Sequence, residues 1–274
     1  MSVRARDPIL VLGCGAIGAS AAAGWSAAGH EVWGNDRRDL TPLVERGWLR
    51  KQVGVESLFE AATVVLALPV AGILGALRRL PFHDRQMVTD VGSVKGAVVE
   101  AAAASLGAGV AFVGGHPMAG SEGSGYEAAR EDLFAGASWA LCGSGDAVGA
   151  VAVLVRELGA QPLACDAAAH DRAVALTSHV PQVLASALAA ELESRAASEE
   201  EARLLLALLG PGGRGMLRLA GSSFEVWRDI LAANRDQIEH ALAAVRDRAA
   251  QPPETLGEEF AAARRWYARL PRPG

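Results

Sequence analysis

Ile9-Leu10-Val11-Leu12-Gly13-Cys14-Gly15-Ala16-Ile17-Gly18 is the stretch on which the fold turns. Four apolar residues run straight into glycines at positions 13, 15 and 18. An Ala-rich helical run follows, and then a second short strand pattern, Glu31–Asn35, that ends at Asp36. Strand, glycine loop, helix, strand and acid is the order that a dinucleotide-binding βαβ unit needs. Gly13 permits the tight turn, Gly15 lets the backbone approach a pyrophosphate, and Gly18 lets helix and strand pack closely. Ala16 and Ile17 begin the helix, whose unpaired N–H groups and partial positive charge favour phosphate. Asp36 can accept hydrogen bonds from a ribose diol and would repel a 2′-phosphate, which favours NAD over NADP. Arg37 and Arg38 stand where a 2′-phosphate contact would keep NADP open.

Outward from this loop, further apolar runs are expected as strands at Thr63–Leu68, Gln86–Asp90, Ala111–Gly114 and Ser138–Cys142, with helical patterns between most of them. Continuous apolar strands alternating with helices predict an α/β fold, a Rossmann-type doubly wound parallel sheet. After Asp166 the strand signal stops. Helical patterns occupy His170–Arg195, Glu199–Leu209, Phe224–Arg248 and Gly257–Leu270. In the third, Trp227, Ile230, Leu231, Ile238 and Leu242 share one face at helical spacing. The reading is therefore two domains, residues 1–165 binding a dinucleotide and residues 166–274 all-helical.

Composition sets the outer limits. A chain of 274 residues, 51% hydrophobic, can build two cores. A net charge of −5 leaves no broad basic field for nucleic acid. Lys51 and Lys95 are the only lysines, so no lysine chemistry is available after residue 95. Three cysteines, Cys14, Cys142 and Cys165, form no CxxC pair; a disulfide framework or metal site is not expected, and a reducing cytoplasm fits. The arginines and apolar run at the N-terminus imitate a signal peptide, but a strand feeding a glycine loop explains them better. No stretch is expected to reach the ~20 apolar residues of a membrane span.

Four stretches carry chemistry. Thr89-Asp90-Val91-Gly92-Ser93-Val94-Lys95 follows a strand, where ligands of an open parallel sheet collect. Ser93 there is either a helix cap or a catalytic hydroxyl. Gly114-Gly115-His116-Pro117-Met118-Ala119-Gly120-Ser121-Glu122 is read as another strand-end loop, and His116 is the best general base among six histidines. His170 is read simply as the start of a helix. In Thr177-Ser178-His179-Val180-Pro181-Gln182, His179 is either a satisfied core group or a substrate ligand. In the fourth, Gly212–Ala220 with Trp227–Ile230 and Asn234, Arg218 can clamp a carboxylate. Asn234 lies on an apolar face and needs a buried partner.

Together these stretches resemble the prephenate/arogenate dehydrogenase family of tyrosine biosynthesis. The similarity runs from the glycine loop to about Asn234 and is most specific at Gly114–Ala129, GGHPMAGSEGSGYEAA. It is supported by Ala67-Leu68-Pro69, by Asp90–Lys95, by His170-Asp171-Arg172 with Ser178–Pro181, and by Trp227–Ile230. The resemblance implies a helical domain that interlocks two subunits into a homodimer. It assigns His116 as the catalytic histidine bonded to the substrate's ring hydroxyl and Ser93 as the serine supporting that contact. His179, Gln182, Arg218 and Glu122 become substrate-pocket residues, with Arg218 on a substrate carboxylate, and Pro69 joins the cofactor site. Two positions depart from the family. Gln182 stands where prephenate-using members often carry His, and Gly215 where an acid is common.

The activity so implied is oxidative decarboxylation of a cyclohexadienol. Hydride passes to the nicotinamide while His116 takes the hydroxyl proton, and loss of CO₂ makes the ring aromatic. Two rivals remain. A β-hydroxyacid-type dehydrogenase would need a lysine acid in the helical domain, where none exists. An NAD-binding sensor without catalysis would not need His116. A separate amino-acid-binding regulatory domain is not expected.

Overall fold

The computed structural model describes residues 7–120 and 123–270. Within them the contacts divide the chain into two units, one of residues 1–173 with 219–234 and one of residues 174–218 with 235–274.

The first unit is built on a single eight-stranded sheet in the order β3-β2-β1-β4-β5-β6-β7-β8. The strands are β1 (Ile9–Leu12), β2 (Val32–Asn35), β3 (Lys51–Gln52), β4 (Thr63–Leu66), β5 (Met87–Asp90), β6 (Ala111–Pro117), β7 (Ser138–Cys142) and β8 (Gln161–Ala164). Every residue of β1, β4 and β5 is buried, as strands covered on both faces by helices must be. Those helices are α1 (Ala16–Ala27), α2 (Thr41–Glu45), α3 (Val70–Arg79), α4 (Gly96–Ser105) and α5 (Asp146–Glu157). One core, on the α1 and α5 side, gathers Ile9, Val11, Trp25, Val65, Phe134 and Leu154. The other gathers Leu10, Leu66, Ile73, Leu77, Val88 and Val98 around α3 and α4. Each such aliphatic side chain contributes about 1.5–3 kcal/mol by leaving water. Trp25 spans the first core and donates its indole N–H to the Leu154 carbonyl at 3.0 Å.

Strand order reverses between β1 and β4, so the loops after these two strands flank the crevice where such sheets bind ligands. The sheet departs from the expected all-parallel one in two ways. β7 is antiparallel to β6, and β7 and β8 then run parallel to each other. β3 and β8 were also not expected. They are short, largely exposed edge strands without an apolar run to announce them.

The helical part begins with α6 (Ala167–Val174), a π-helical turn over Ala175–His179, and α7 (Val180–Arg195). α8 (Glu199–Leu208), α9 (Pro211–Leu217), α10 (Phe224–Ala233), α11 (Arg235–Ala249) and α12 (Leu256–Tyr267) follow. Ser198 caps α8, its hydroxyl accepting from the Glu201 N–H at 3.2 Å.

Two expectations, the single apolar stripe and the lack of a long apolar stretch, are corrected by the structure, and the packing divides the chain differently from the expected boundary. The apolar stripe from Trp227 to Leu242 is not one helix, because the chain breaks at Asn234 between α10 and α11. Trp227 and Ile230 pack with Val70 and Val94 in the first unit, whereas Ile238 lies in the second. The expected boundary at 165/166 follows the chain, but packing draws residues 166–173 and 219–234 to the first unit. The Asn234 side chain, donating to the Asp171 carbonyl at 2.9 Å, is one of the bonds that hold them there. Finally, one helical stretch, Ala167–Arg195, is long and apolar enough to span a membrane by length and composition. The polar triplets His170-Asp171-Arg172 and Thr177-Ser178-His179 divide it into short apolar runs, so no unbroken run announces it.

Candidate active site

Protein packing explains two of the three loop glycines. Gly13 has φ +94°, and a Cβ there would run into the Ala67 carbonyl at the end of β4. A Cβ on Gly18 would strike the Gly13 carbonyl. A Cβ on Gly15 would meet no atom within 4 Å. What Gly15 keeps clear is the approach to the first amides of α1. Gly15, Ala16 and Ile17 are also the partly exposed residues in an otherwise buried run from Ile9 to Ala23. This arrangement fits a diphosphate seated on a helix N-terminus.

Asp36 stands at the end of β2 beside this loop. Its Oδ2 accepts the Cys14 N–H at 2.9 Å and its Oδ1 accepts the Arg38 N–H at 3.0 Å. The Arg38 guanidinium is engaged locally. It donates to the Cys14 carbonyl at 3.2 Å and to Glu127 at 3.3 Å, and it lies over the Tyr126 ring at 4.4 Å. Pro69 is exposed at the start of α3, two residues after Ala67.

The second group of residues lies on the same rim of the sheet. Register sets Leu12 level with Leu66, Leu66 level with Asp90, and Thr89 level with Val113. His116 therefore projects two residues beyond the end of β5, roughly 6–7 Å at the usual strand rise. It belongs to β6 and not to a loop, paired opposite Ala140 of β7. The expected loop position is corrected accordingly: the antiparallel β7 extends β6 through Pro117. A strand is a stiffer mount than a loop, and His116 is partly exposed on it.

Asp90 ties the two strand ends together. It accepts from the Gly92 N–H at 2.8 Å and from the Gly115 N–H at 3.0 Å, and it forms an ion pair with Lys95. The fully buried Lys95 ammonium also donates to the Gly115 carbonyl at 2.6 Å. Lys95 is thus committed to holding the backbone of Gly115, the residue before His116.

Ser93 is not the cap of α4, as one of its two readings had it. The helix starts at Gly96, and the Asp171 carboxylate caps it by accepting from the Lys95 and Gly96 N–H groups at 2.8 and 2.7 Å. Asp171 also accepts from His170 Nδ1 at 2.8 Å, and His170 Nε2 lies 2.9 Å from His116 Nδ1. Burial works to raise the Asp171 carboxyl, but the bonds from His170, Lys95 and Gly96 outweigh it and hold the acid below its usual range. His170 and Asp171 were missed as functional residues. The adjacent His-Asp pair was visible in the sequence, but nothing local showed that it reaches His116, 54 positions earlier.

Three of the remaining residues expected in the site, His179, Gln182 and Arg218, belong to the second unit. His179 closes the π-helical turn and is buried. Gln182, also buried, donates to the Ser186 hydroxyl at 3.2 Å. Arg218 is exposed at the start of a 3₁₀ turn, Arg218–Gly221. Glu122 lies outside the described residues. Among the described residues no cluster of three His, Cys, Asp or Glu side chains could hold a metal ion.

Known proteins place these features in context. Residues 26–162 match the nucleotide-binding domain of prephenate dehydrogenase, and residues 166–259 match its dimerization domain. A prephenate dehydrogenase of Lactococcus lactis is 33% identical over 82% of the chain, which spans 64% of that relative's length. The structure of prephenate dehydrogenase from A. aeolicus in complex with hydroxyphenyl propionate and NAD+ superposes with a TM-score of 0.82 at 26% identity, covering 95% of this chain and 94% of that one. Synechocystis arogenate dehydrogenase superposes with a TM-score of 0.78 at 28% identity, covering 95% and 96%.

Proposed function

The chain belongs to the prephenate dehydrogenase family, and from that premise we propose that it catalyses NAD-dependent oxidative decarboxylation of prephenate to 4-hydroxyphenylpyruvate, of arogenate to tyrosine, or of both. The observation that carries the reading is the position of His116. It is a histidine on a strand, projecting past the carboxyl ends of the sheet on the rim that bears the glycine loop.

NAD, when bound, supplies the acceptor for the hydride leaving the carbinol carbon. His116 accepts the proton of the ring hydroxyl, and Ser93 supports that contact. The ketone that develops is vinylogous to the ring carboxylate, so CO₂ departs and the ring becomes aromatic. The charge balance then requires a proton on the product oxygen, and His116 is placed to return the one it took. Gly13, Gly15, Ala16, Ile17, Gly18 and Pro69 would hold the cofactor, and Asp36 its ribose. The engagement of Arg38 with Cys14, Glu127 and Tyr126 supports NAD over NADP. His179, Gln182, Arg218 and Glu122 are proposed to line the substrate pocket, with Arg218 on a carboxylate.

The protein works as a homodimer through its helical part, in the cytoplasm, without nucleic acid or membrane. The dimerization-domain match supports the homodimer, as do the outward-facing leucines of α8. That match also supports assigning Ala167–Arg195 to a domain fold and the sequence boundary near 165 to the junction of two modules.

Absorbance of the reduced cofactor, followed with prephenate and with arogenate and with NAD and NADP in turn, tests the reading. Turnover with either substrate is the expected result, faster with NAD. No turnover in any of the four pairs, with NAD binding intact, would leave the sensor as the better account.

A further inference from the structure

We infer that His170 and Asp171 are positioning residues that select the basic nitrogen of His116 and share the charge it acquires. This rests on the proposed role of His116 as base.

The argument follows the direction of the hydrogen bonds. Asp171 is held in its ionised range, so its carboxylate can only accept. His170 Nδ1, 2.8 Å away, must then carry a proton. In a neutral imidazole the other nitrogen is an acceptor, so His170 Nε2 accepts from His116 Nδ1 across 2.9 Å. The lone pair of neutral His116 therefore sits on Nε2. One carboxylate, two imidazoles away, decides which nitrogen meets the substrate hydroxyl.

The same chain acts after proton uptake. When His116 becomes an imidazolium, its Nδ1–H still points at His170 Nε2. The proton can cross to His170, which breaks the His116 Nδ1–H bond, forms the His170 Nε2–H bond and brings the cation against Asp171. No oxidant or co-reactant is involved. His170 and Asp171 are both buried, so the exchange is shielded from water. Asp171 is itself fixed by the Lys95 and Gly96 amides, which sets the position of the whole row.

The other titratable groups of this unit around the row are few among the described residues. Asp90 and Lys95 neutralise one another. Cys142 and Cys165 approach from the β7–β8 side with their sulfurs 3.6 Å apart. The Cys142 thiol is pushed up to about 12, first by burial and then by its contact with Cys165, and stays neutral. The ionised Asp171 favours a protonated His116, so the intact row raises the pH at which the base becomes competent.

The test is the pH profile of kcat/KM together with ring-nitrogen NMR. In His170→Phe, kcat should fall about 10–100-fold with little change in KM for NAD. The acidic limb of kcat/KM should move to lower pH by roughly one unit, since a partner that stabilises the imidazolium is gone. His170→Gln, whose amide can still accept from His116, should recover part of the rate. Unchanged kcat and an unmoved limb in His170→Phe would overturn the inference. In the unsubstituted protein, ¹⁵N shifts should show His116 protonated at Nδ1 and bare at Nε2; the opposite tautomer would overturn it even if the variants fail to fold. If the unsubstituted protein turns over neither substrate, the proposed function falls, and the observed tautomer still decides the hydrogen-bond row.

Discussion

The two units use apolar residues in opposite ways. In the first, Ile9, Leu10, Val11, Val64, Val65 and Leu66 are completely buried in the sheet, and helices cover both faces. In the second, α8 buries none of its residues and presents Leu204, Leu206 and Leu208 at 59%, 66% and 76% exposure. α12 likewise exposes Phe260, Trp266 and Tyr267. One unit completes its own core within one chain; the other leaves an apolar surface of the kind that subunit association covers. The proposed function divides along the same line, with the proposed base His116 and the glycine loop on the self-sufficient unit and the proposed self-association on the open one.

Substitutions can break that division or sharpen it. The largest effect is expected from His116→Asn, which should lower kcat by about 10²–10⁴-fold. Cofactor affinity and molecular mass should be unchanged, as read by NAD titration and light scattering. Unaltered turnover would remove the chemistry from the first unit. Next is Lys95→Met, which strands the buried Asp90 carboxylate without its cation. A loss of about 3–5 kcal/mol in denaturant unfolding is expected. A loss below 1 kcal/mol would mean that the Gly92 and Gly115 amides suffice for Asp90. The smallest is the pair Leu206→Glu with Leu208→Glu. It should weaken self-association by about 10–100-fold in sedimentation while moving the unfolding of the single chain by less than ~0.5 kcal/mol. Val153→Glu, an equally conspicuous exposed residue of α5 in the first unit, should leave the association constant where it was.

Legibility in the sequence followed the same split. β1, β4 and β5 could be read almost to the residue because buried parallel strands are short, continuous apolar runs, and β7 because Trp139–Cys142 is a buried apolar run of the same kind. β3 and β8 could not, since an exposed edge strand has no such run. The glycine loop and Asp36 were legible because local backbone needs dictate those residue types. The first unit's share of the helical part was not. A stripe at helical spacing from Trp227 to Leu242 looks the same whether or not the chain breaks at Asn234. What reveals the break is a long-range bond to Asp171. His170 escaped for a similar reason. Its partners, His116 and Asp171, come from β6 and α6, and no periodicity records a contact between them.

Asp90 gives the molecule a feature of its motion. Sheet rims that bind ligands are usually drawn from the parts of a protein that open most readily. Here one carboxylate and one ammonium clamp the end of β5 to β6 from inside, with no solvent contact on either side chain. The Gly115 amide is released to solvent only if that clamp opens. Its hydrogen should exchange on the slow timescale of the sheet interior, although the next residue in the chain is His116. The clamp thereby joins the end of β5, from which the Ser93 loop departs, to the strand that carries His116.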